Sequence, residues 1–99
     1  MRRAARVDDN HREVIAALRQ VGASVMDLSR VGAGCPDICA GFRGRNILIE
    51  IKDGNKPPSA RKLTDAQDDW HAQWNGSAYV VTSAEEAVET ILAETQVKK

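Results

Sequence analysis

Asn46-Ile47-Leu48-Ile49-Glu50-Ile51-Lys52 is the stretch that decides the fold of this 99-residue chain. Its apolar and β-branched residues are typical of a buried strand. Because strand side chains alternate between two faces, the three isoleucines share one face, whereas Leu48, Glu50 and Lys52 share the other. We therefore predict a strand with one core face, whose carboxyl end presents a carboxylate and an ammonium group to a common site.

The segments on either side of this strand predict three helices and three further strands. Each helix begins at a possible capping box, in which a cap residue is followed three positions later by Glu or Gln. The pairs are Asn10 with Glu13, Thr64 with Gln67, and Ser83 with Glu86. Glycines at positions 22 and 76 end the first two helices. The further strands are expected at residues 23–28, 38–42 and 77–82.

The resulting element order, α-β-β-β-α-β-α, predicts an α/β fold. Strands 38–42 and 46–52 are joined too tightly for a crossover and should form an antiparallel hairpin. The helix before the last strand predicts a parallel, right-handed crossover. We expect a mixed four-stranded sheet with helices on both faces. Apolar spacing predicts the residues that the second and third helices turn inward: Ala66, Trp70, Trp74, Ala84, Ala87, Val88, Ile91 and Leu92.

Length and composition predict a single domain over residues 1–99, with a basic arm at 1–7 and a frayed tail at 96–99. No apolar run approaches the ~20 residues that span a bilayer, and no apolar region follows the first arginines, so we expect a cytoplasmic protein with no membrane contact. Net charge is zero, but residues 1–64 carry 12 Lys or Arg and 7 Asp or Glu, whereas residues 65–99 carry 2 and 7. This polarity allows a basic face for phosphate, although acidic helices clustered late in the chain would give the same balance.

The cysteines and histidines do not predict a zinc site. Cys35 and Cys39 are four residues apart, so a disulfide between them would need a tight turn. Zinc would have to recruit His11 and His71 from distant segments, and the paired C-x-x-C signature is missing. The sequence leaves open what His11 and the two cysteines do.

Asp37 and Glu50 are the candidate metal ligands. Two carboxylates with several waters is the usual way to hold Mg²⁺, and a lysine beside them could neutralise charge on a phosphate. This is the set of groups that metal-assisted phosphodiester hydrolysis requires. In the alternative interpretation, Glu50 simply pairs with Lys52 or Arg45 at a solvated strand end.

These residues also match a family. Gly34-Cys35-Pro36-Asp37 followed by Ile49-Glu50-Ile51-Lys52 resembles the paired signature of the PD-(D/E)XK nuclease superfamily. Lys62-Leu63-Thr64-Asp65-Ala66-Gln67 resembles the helix start of its VRR-NUC branch, although the V-R-R string itself is not present in that form. Nearly the whole chain follows the order of elements in minimal, stand-alone phage and bacterial members.

The resemblance implies a restriction-endonuclease-like αβββαβα core and a Mg²⁺- or Mn²⁺-dependent endodeoxyribonuclease. By position, Asp37, Glu50 and the carbonyl of Ile51 would bind the metal, and Lys52 would be the catalytic lysine. Glu13 would support the metal, and Gln67 would join the active site, although both could serve only as cap partners. The implied substrate is branched DNA such as a Holliday junction, cut by a homodimer.

Cleavage of flaps or of linear or nicked duplex is the alternative substrate class, and a non-catalytic nucleic-acid-binding module is the alternative function. The candidate phosphate contacts flank the site in sequence and could equally serve solubility. They are Arg43, Arg45, Lys56, Arg61 and Lys62.

Overall fold

The computed structural model describes residues 9–96, so the predicted arm at 1–7 and the last three residues of the predicted tail lie outside the described range. The predicted order of elements is confirmed, with one added 3₁₀ turn, η1, in the loop before α2. The elements are α1 His11–Gln20, β1 Ser24–Asp27, β2 Ile38–Phe42, β3 Arg45–Ile51, η1 Pro58–Arg61, α2 Asp65–Gln73, β4 Ala78–Val81 and α3 Ala84–Glu94. Among the described residues, none of these helices has the length and apolarity to cross a membrane.

The four strands form one mixed sheet in the order β1-β2-β3-β4. β1 and β3 pair antiparallel with β2, and β4 pairs parallel with β3, so the predicted hairpin and the predicted parallel step are both confirmed. The hairpin turn contains only Arg43 and Gly44, whose φ angles are 50° and 77°. Two consecutive positive φ values define the tight turn that matches the twist of a two-stranded ribbon. β3 consequently starts at Arg45, one residue before the predicted strand 46–52, and ends at Ile51, so Lys52 directly follows it.

The hydrophobic core lies on one face of the sheet. Ile47, Ile49 and Ile51 are fully or almost fully buried there, as the alternating pattern predicts. α1 and α3 cover this face, with buried residues that include Leu18 from α1 and Ile91 from α3. Leu92, predicted to be in the stripe of α3, is 40% exposed, because only part of that helix's apolar arc faces the sheet.

α2 does not pack into this core, so the prediction that Ala66, Trp70 and Trp74 turn inward to it is wrong. None of its residues is buried, and Trp74 is 46% exposed. The first turn of α2 instead reaches the face of the sheet opposite the core. There Gln67 contacts Glu50 of β3 and Lys52, the residue that follows β3. Helices therefore lie on both faces, but only α1 and α3 contribute to the main core.

Candidate active site

Glu50 and Lys52 lie at the carboxyl end of β3, on the face opposite its isoleucines. The two residues are only 2% and 8% exposed, and Lys52 Nζ lies 3.8 Å from Glu50 Oε2. Taking two charges out of water is costly unless they are paired and hydrogen-bonded. The predicted pairing of Glu50 with Lys52 is therefore present, but in a buried place and not at a solvated strand end.

Gln67 completes this pair from the first turn of α2. Its side-chain oxygen accepts a hydrogen bond from Lys52 Nζ at 2.9 Å, and its side-chain nitrogen donates to Glu50 Oε2 at 3.0 Å. The same oxygen accepts the backbone N–H of Thr64, whose hydroxyl accepts the N–H of Gln67. The predicted capping box is thus confirmed, and one amide serves both the helix start and the ion pair.

Gly34 fixes where this helix start sits. Its φ of +81° is a conformation that other residues adopt only with strain. A Cβ at this position would lie 2.2 Å from the carbonyl oxygen of Ala66, so the loop contacts the first turn of α2 backbone to backbone. This close approach holds Gln67 over the end of β3.

Asn10 anchors the same strand end from the other side. Its side-chain nitrogen donates to the carbonyl oxygens of Lys52 at 3.1 Å and Thr82 at 3.2 Å, and so ties the start of α1 to the ends of β3 and β4. The amide therefore makes no capping hydrogen bond to its own helix, and the predicted box with Glu13 is wrong. The predicted box at Ser83 is half formed. Its hydroxyl accepts the N–H of Glu86, whose carboxylate instead accepts the N–H and hydroxyl of Thr82.

Asp37 lies just before β2, at the open end of the hairpin and next to the strand end that carries Glu50 and Lys52. Its Oδ2 accepts the backbone N–H of Ile51 at 2.7 Å, just before β2 begins. The N–H and C=O of one strand residue point to the same strand edge, so the Ile51 carbonyl also lies on the Asp37 side of β3. Burial and then the charges of Glu50 and Asp37 raise the pKa of the Cys35 thiol, which lies close enough to sense both carboxylates.

These oxygen donors fit a hard divalent cation. Asp37, Glu50 and the Ile51 carbonyl are the ligand types that Mg²⁺ and Mn²⁺ prefer. Glu13 is exposed on α1 and lines a polar cavity with Asp53, the residue that follows Lys52. Within residues 9–96 no three His, Cys, Asp or Glu side chains are grouped to hold one metal. A cation here would therefore rely on two carboxylates, a main-chain oxygen and water.

The structure separates the candidate phosphate contacts into two groups. Arg43 and Arg45 lie at the hairpin turn, and Arg45 is about 17 Å of extended strand from Glu50. Arg45 also pairs with Glu94 at 3.6 Å. The other three follow β3 and precede α2, and one of them, Lys56, has its Nζ 4.0 Å from Asp9 Oδ2; the three are Lys56, Arg61 and Lys62. This second group is the one that lies between Lys52 and Gln67 in the sequence.

The histidines and tryptophans occupy different surroundings. His11 is buried, with Nε2 3.7 Å from Asp27 Oδ2, at the α1–β1 side of the core. The rings of Trp70 and Trp74 stack with centroids 4.7 Å apart and planes 17° apart. His71 packs edge-on against Trp70, and burial lowers its pKa.

Sequence reasoning missed three features that help to build the site: the tether made by Asn10, the close packing at Gly34, and the buried Asp53. The last of these is 7% exposed and accepts the N–H of Asn55 at 2.9 Å, which closes the turn after Lys52. A glycine directly before Cys-Pro-Asp was a signal for a special backbone conformation. The other two roles depend on distant carbonyls and on burial, which local patterns do not encode.

Comparisons of the chain with protein-family models, curated proteins and solved structures found no match. What the site can do must therefore be argued from its own chemistry.

Proposed function

We propose that this chain is a divalent-metal-dependent DNA endonuclease that resembles the VRR-NUC branch of the PD-(D/E)XK nucleases. The observation that carries the proposal is the buried Glu50–Lys52–Gln67 network beside Asp37. A buried acid and lysine at the end of a hydrophobic strand, held in place by a helix start, are expensive to retain without a use for their charges.

The side chains divide the work of phosphodiester hydrolysis. When bound, the cation supplies charge neutralisation at the scissile phosphate and a lowered pKa for a bound water. Asp37, Glu50 and the Ile51 carbonyl would hold it. Lys52 has three N–H donors, of which Gln67 takes one, so another can contact the attacking water or a phosphate oxygen.

Gln67 is a positioning residue in this scheme. It bonds both the acid and the lysine, so it fixes the distance between the two groups before substrate binds. Lys56, Arg61 and Lys62 would contact phosphates without sequence preference. Branched DNA as substrate is proposed on the resemblance alone, and a homodimer as the working unit on the resemblance and on the small size of the chain.

The deciding experiment is cleavage of labelled four-way junctions, flaps, nicked duplex and linear duplex in Mg²⁺, in Mn²⁺ and in EDTA. Asp37→Asn and Lys52→Met should abolish cutting, with folding checked by circular dichroism. Matched controls remove an exposed charge elsewhere: Asp69→Asn on the outer side of α2, and Arg12→Met on α1. A Lys52→Met enzyme that cuts as fast as the parent would refute the catalytic assignment, and equal cutting of every substrate would refute junction specificity.

A second function, binding of nucleic acid without catalysis, is favoured by one observation. Gln67 hydrogen-bonds both the lysine and one oxygen of the acid, as it would in a purely structural ion pair. DNA binding that persists in EDTA, with no cleavage in either metal, would select this function. Light scattering with and without a junction tests the homodimer, and a monomer under both conditions would contradict it.

A further inference from the structure

One side of α2 forms an uncharged stripe that starts at the candidate site. Gln67 is followed at helical spacing of three, four and seven residues by Trp70, His71 and Trp74, so these side chains share one face. Asp65 and Asp69 project to the other side, whereas Asp68 borders the stripe next to His71. An α-helix rises 1.5 Å per residue, which places Trp74 roughly 10 Å along the axis from Gln67.

The stripe is not part of the hydrophobic core. Trp70 and Trp74 stack almost in parallel, and Trp74 is nevertheless 46% exposed. A Cβ on Gly76 would lie 2.9 Å from Trp74 Nε1, so the backbone after the helix packs against this indole and supports it. An aromatic pair that is held in place yet solvent-exposed is already organised for a planar ligand.

We propose that the Trp70–Trp74 stack is a platform for unpaired nucleobases of the DNA strand that enters the Glu50–Lys52 site. The proposal rests on the proposed function and adds a requirement to it, namely a single-stranded segment next to the cut. Every base has a π-face that can extend an aromatic stack, whereas bases inside a duplex already stack on their neighbours. The roughly 10 Å from Gln67 is short enough for a strand whose phosphate lies at the site to reach Trp74.

Charge supports a nucleic-acid strand as the occupant. The edge of the stripe that carries Trp70 and Trp74 has no carboxylate; Asp68 lies at the other edge, and burial lowers the pKa of His71 more than this neighbouring carboxylate raises it. Arg61 and Lys62 lie just before the end of α2 that carries Gln67, where they can contact the backbone of the same strand. A second copy of this chain could also cover the indoles, and the test below separates that outcome.

The two indoles are the only tryptophans in the chain, so intrinsic fluorescence reports on this stack alone. The full chain is titrated in EDTA with oligothymidylate of about ten nucleotides, a length within the usual single-strand site sizes. Fluorescence quenching follows stacking, and the anisotropy of a labelled oligonucleotide follows binding. We expect saturable quenching by the single strand and none by a blunt duplex of equal length.

Trp74→Ala should weaken single-strand binding roughly 5- to 150-fold, the loss expected for one base stack. Trp74→Phe, which keeps an aromatic face, should stay within a few-fold of the parent, as should Gln73→Ala at an exposed neighbouring position. Trp74→Phe also keeps the experiment decisive if the alanine variant fails to fold.

Oligonucleotide binding without quenching, or equal affinity of Trp74→Ala and parent, would overturn the platform. Emission that shifts with protein concentration in the absence of DNA would assign the stripe to a second copy and also overturn it. Because the titration needs no metal, the two proposals can fail separately. Quenching without cleavage leaves the platform and removes the nuclease, whereas cleavage without quenching does the reverse.

Discussion

Lys52→Met is the substitution that tests the buried ion pair most directly. Methionine keeps much of the length and packing of lysine but leaves the Glu50 carboxylate, 2% exposed, without its ammonium partner. Removing one member of a buried pair typically costs about 3–5 kcal/mol. At the lower value the melting temperature should fall by roughly 12–24 °C for a chain of this size. Such a chain stays folded at low temperature if its stability lies within the usual range of about 5–15 kcal/mol.

A double-mutant cycle can separate the contribution of charge to this loss of stability from the contribution of packing. Glu50→Gln in the Lys52→Met background removes the buried negative charge, and its amide can still bond Gln67. The double variant should therefore be more stable than Lys52→Met alone by at least ~1 kcal/mol. Urea denaturation of the parent, both single variants and the double variant at low temperature gives the four free energies of unfolding. Arg12→Met, which removes an exposed charge from α1, should change stability by no more than about 0.5 kcal/mol.

The reasoning would be refuted by a Lys52→Met loss below about 1 kcal/mol. That value is typical of solvent-exposed ion pairs and would mean that water reaches the Glu50 carboxylate freely. A double variant no more stable than Lys52→Met would show that lost packing, and not the isolated charge, explains the cost.

Four further predictions concern the groups around the site and the far end of the sheet. Mg²⁺ at ten times its Kd should stabilise the parent by about 1.4 kcal/mol, and Asp37→Asn should remove this shift in melting temperature. Gly34→Ala should cost far more stability than Gly32→Ala: both glycines have φ of +81°, but only the first would overlap the α2 backbone, so equal melting temperatures would contradict the close approach. Asn10→Ala should cost about 1–2 kcal/mol in urea denaturation, since its amide satisfies two carbonyls. The hydrogen bond that Tyr79 donates to Glu94 raises the pKa of the tyrosine above its usual 10.0. Its contribution to stability is therefore present below pH 10 and is lost as the pH rises through the raised pKa. Tyr79→Phe should remove this alkaline loss from a plot of unfolding free energy against pH.

The sheet was predictable because its signals are local. Alternating isoleucines define the core face of β3, and the short connection from Phe42 to Arg45 leaves room only for a hairpin. The placement of Glu50 and Lys52 on one face follows from the same alternation. Their deep burial could not be predicted, because it depends on a helix start that the chain supplies more than ten residues later.

The helices show where local signals end. Asn10 has the sequence signature of a cap, but two distant carbonyls take its side-chain amide. Trp70 and Trp74 have the spacing of a buried stripe, but spacing indicates only that side chains share a face and not what covers that face. Glu13 lies on the predicted helix and lines a cavity with Asp53. The helical pattern could not predict this neighbour, because it depends on how α1 packs against the rest of the fold.

The shared amide of Gln67 has a dynamic consequence. α2 is nine residues long and buries none of them, and a helix of that length is marginal on its own. Each time its first turn frays, the acid and the lysine of the sheet lose the group that spaces them. The hydrogen-exchange rate of the backbone amides in that turn should therefore report how often Gln67 is released from Glu50 and Lys52. A ligand that holds the helix in place would slow that exchange and also fix the spacing of Glu50 and Lys52.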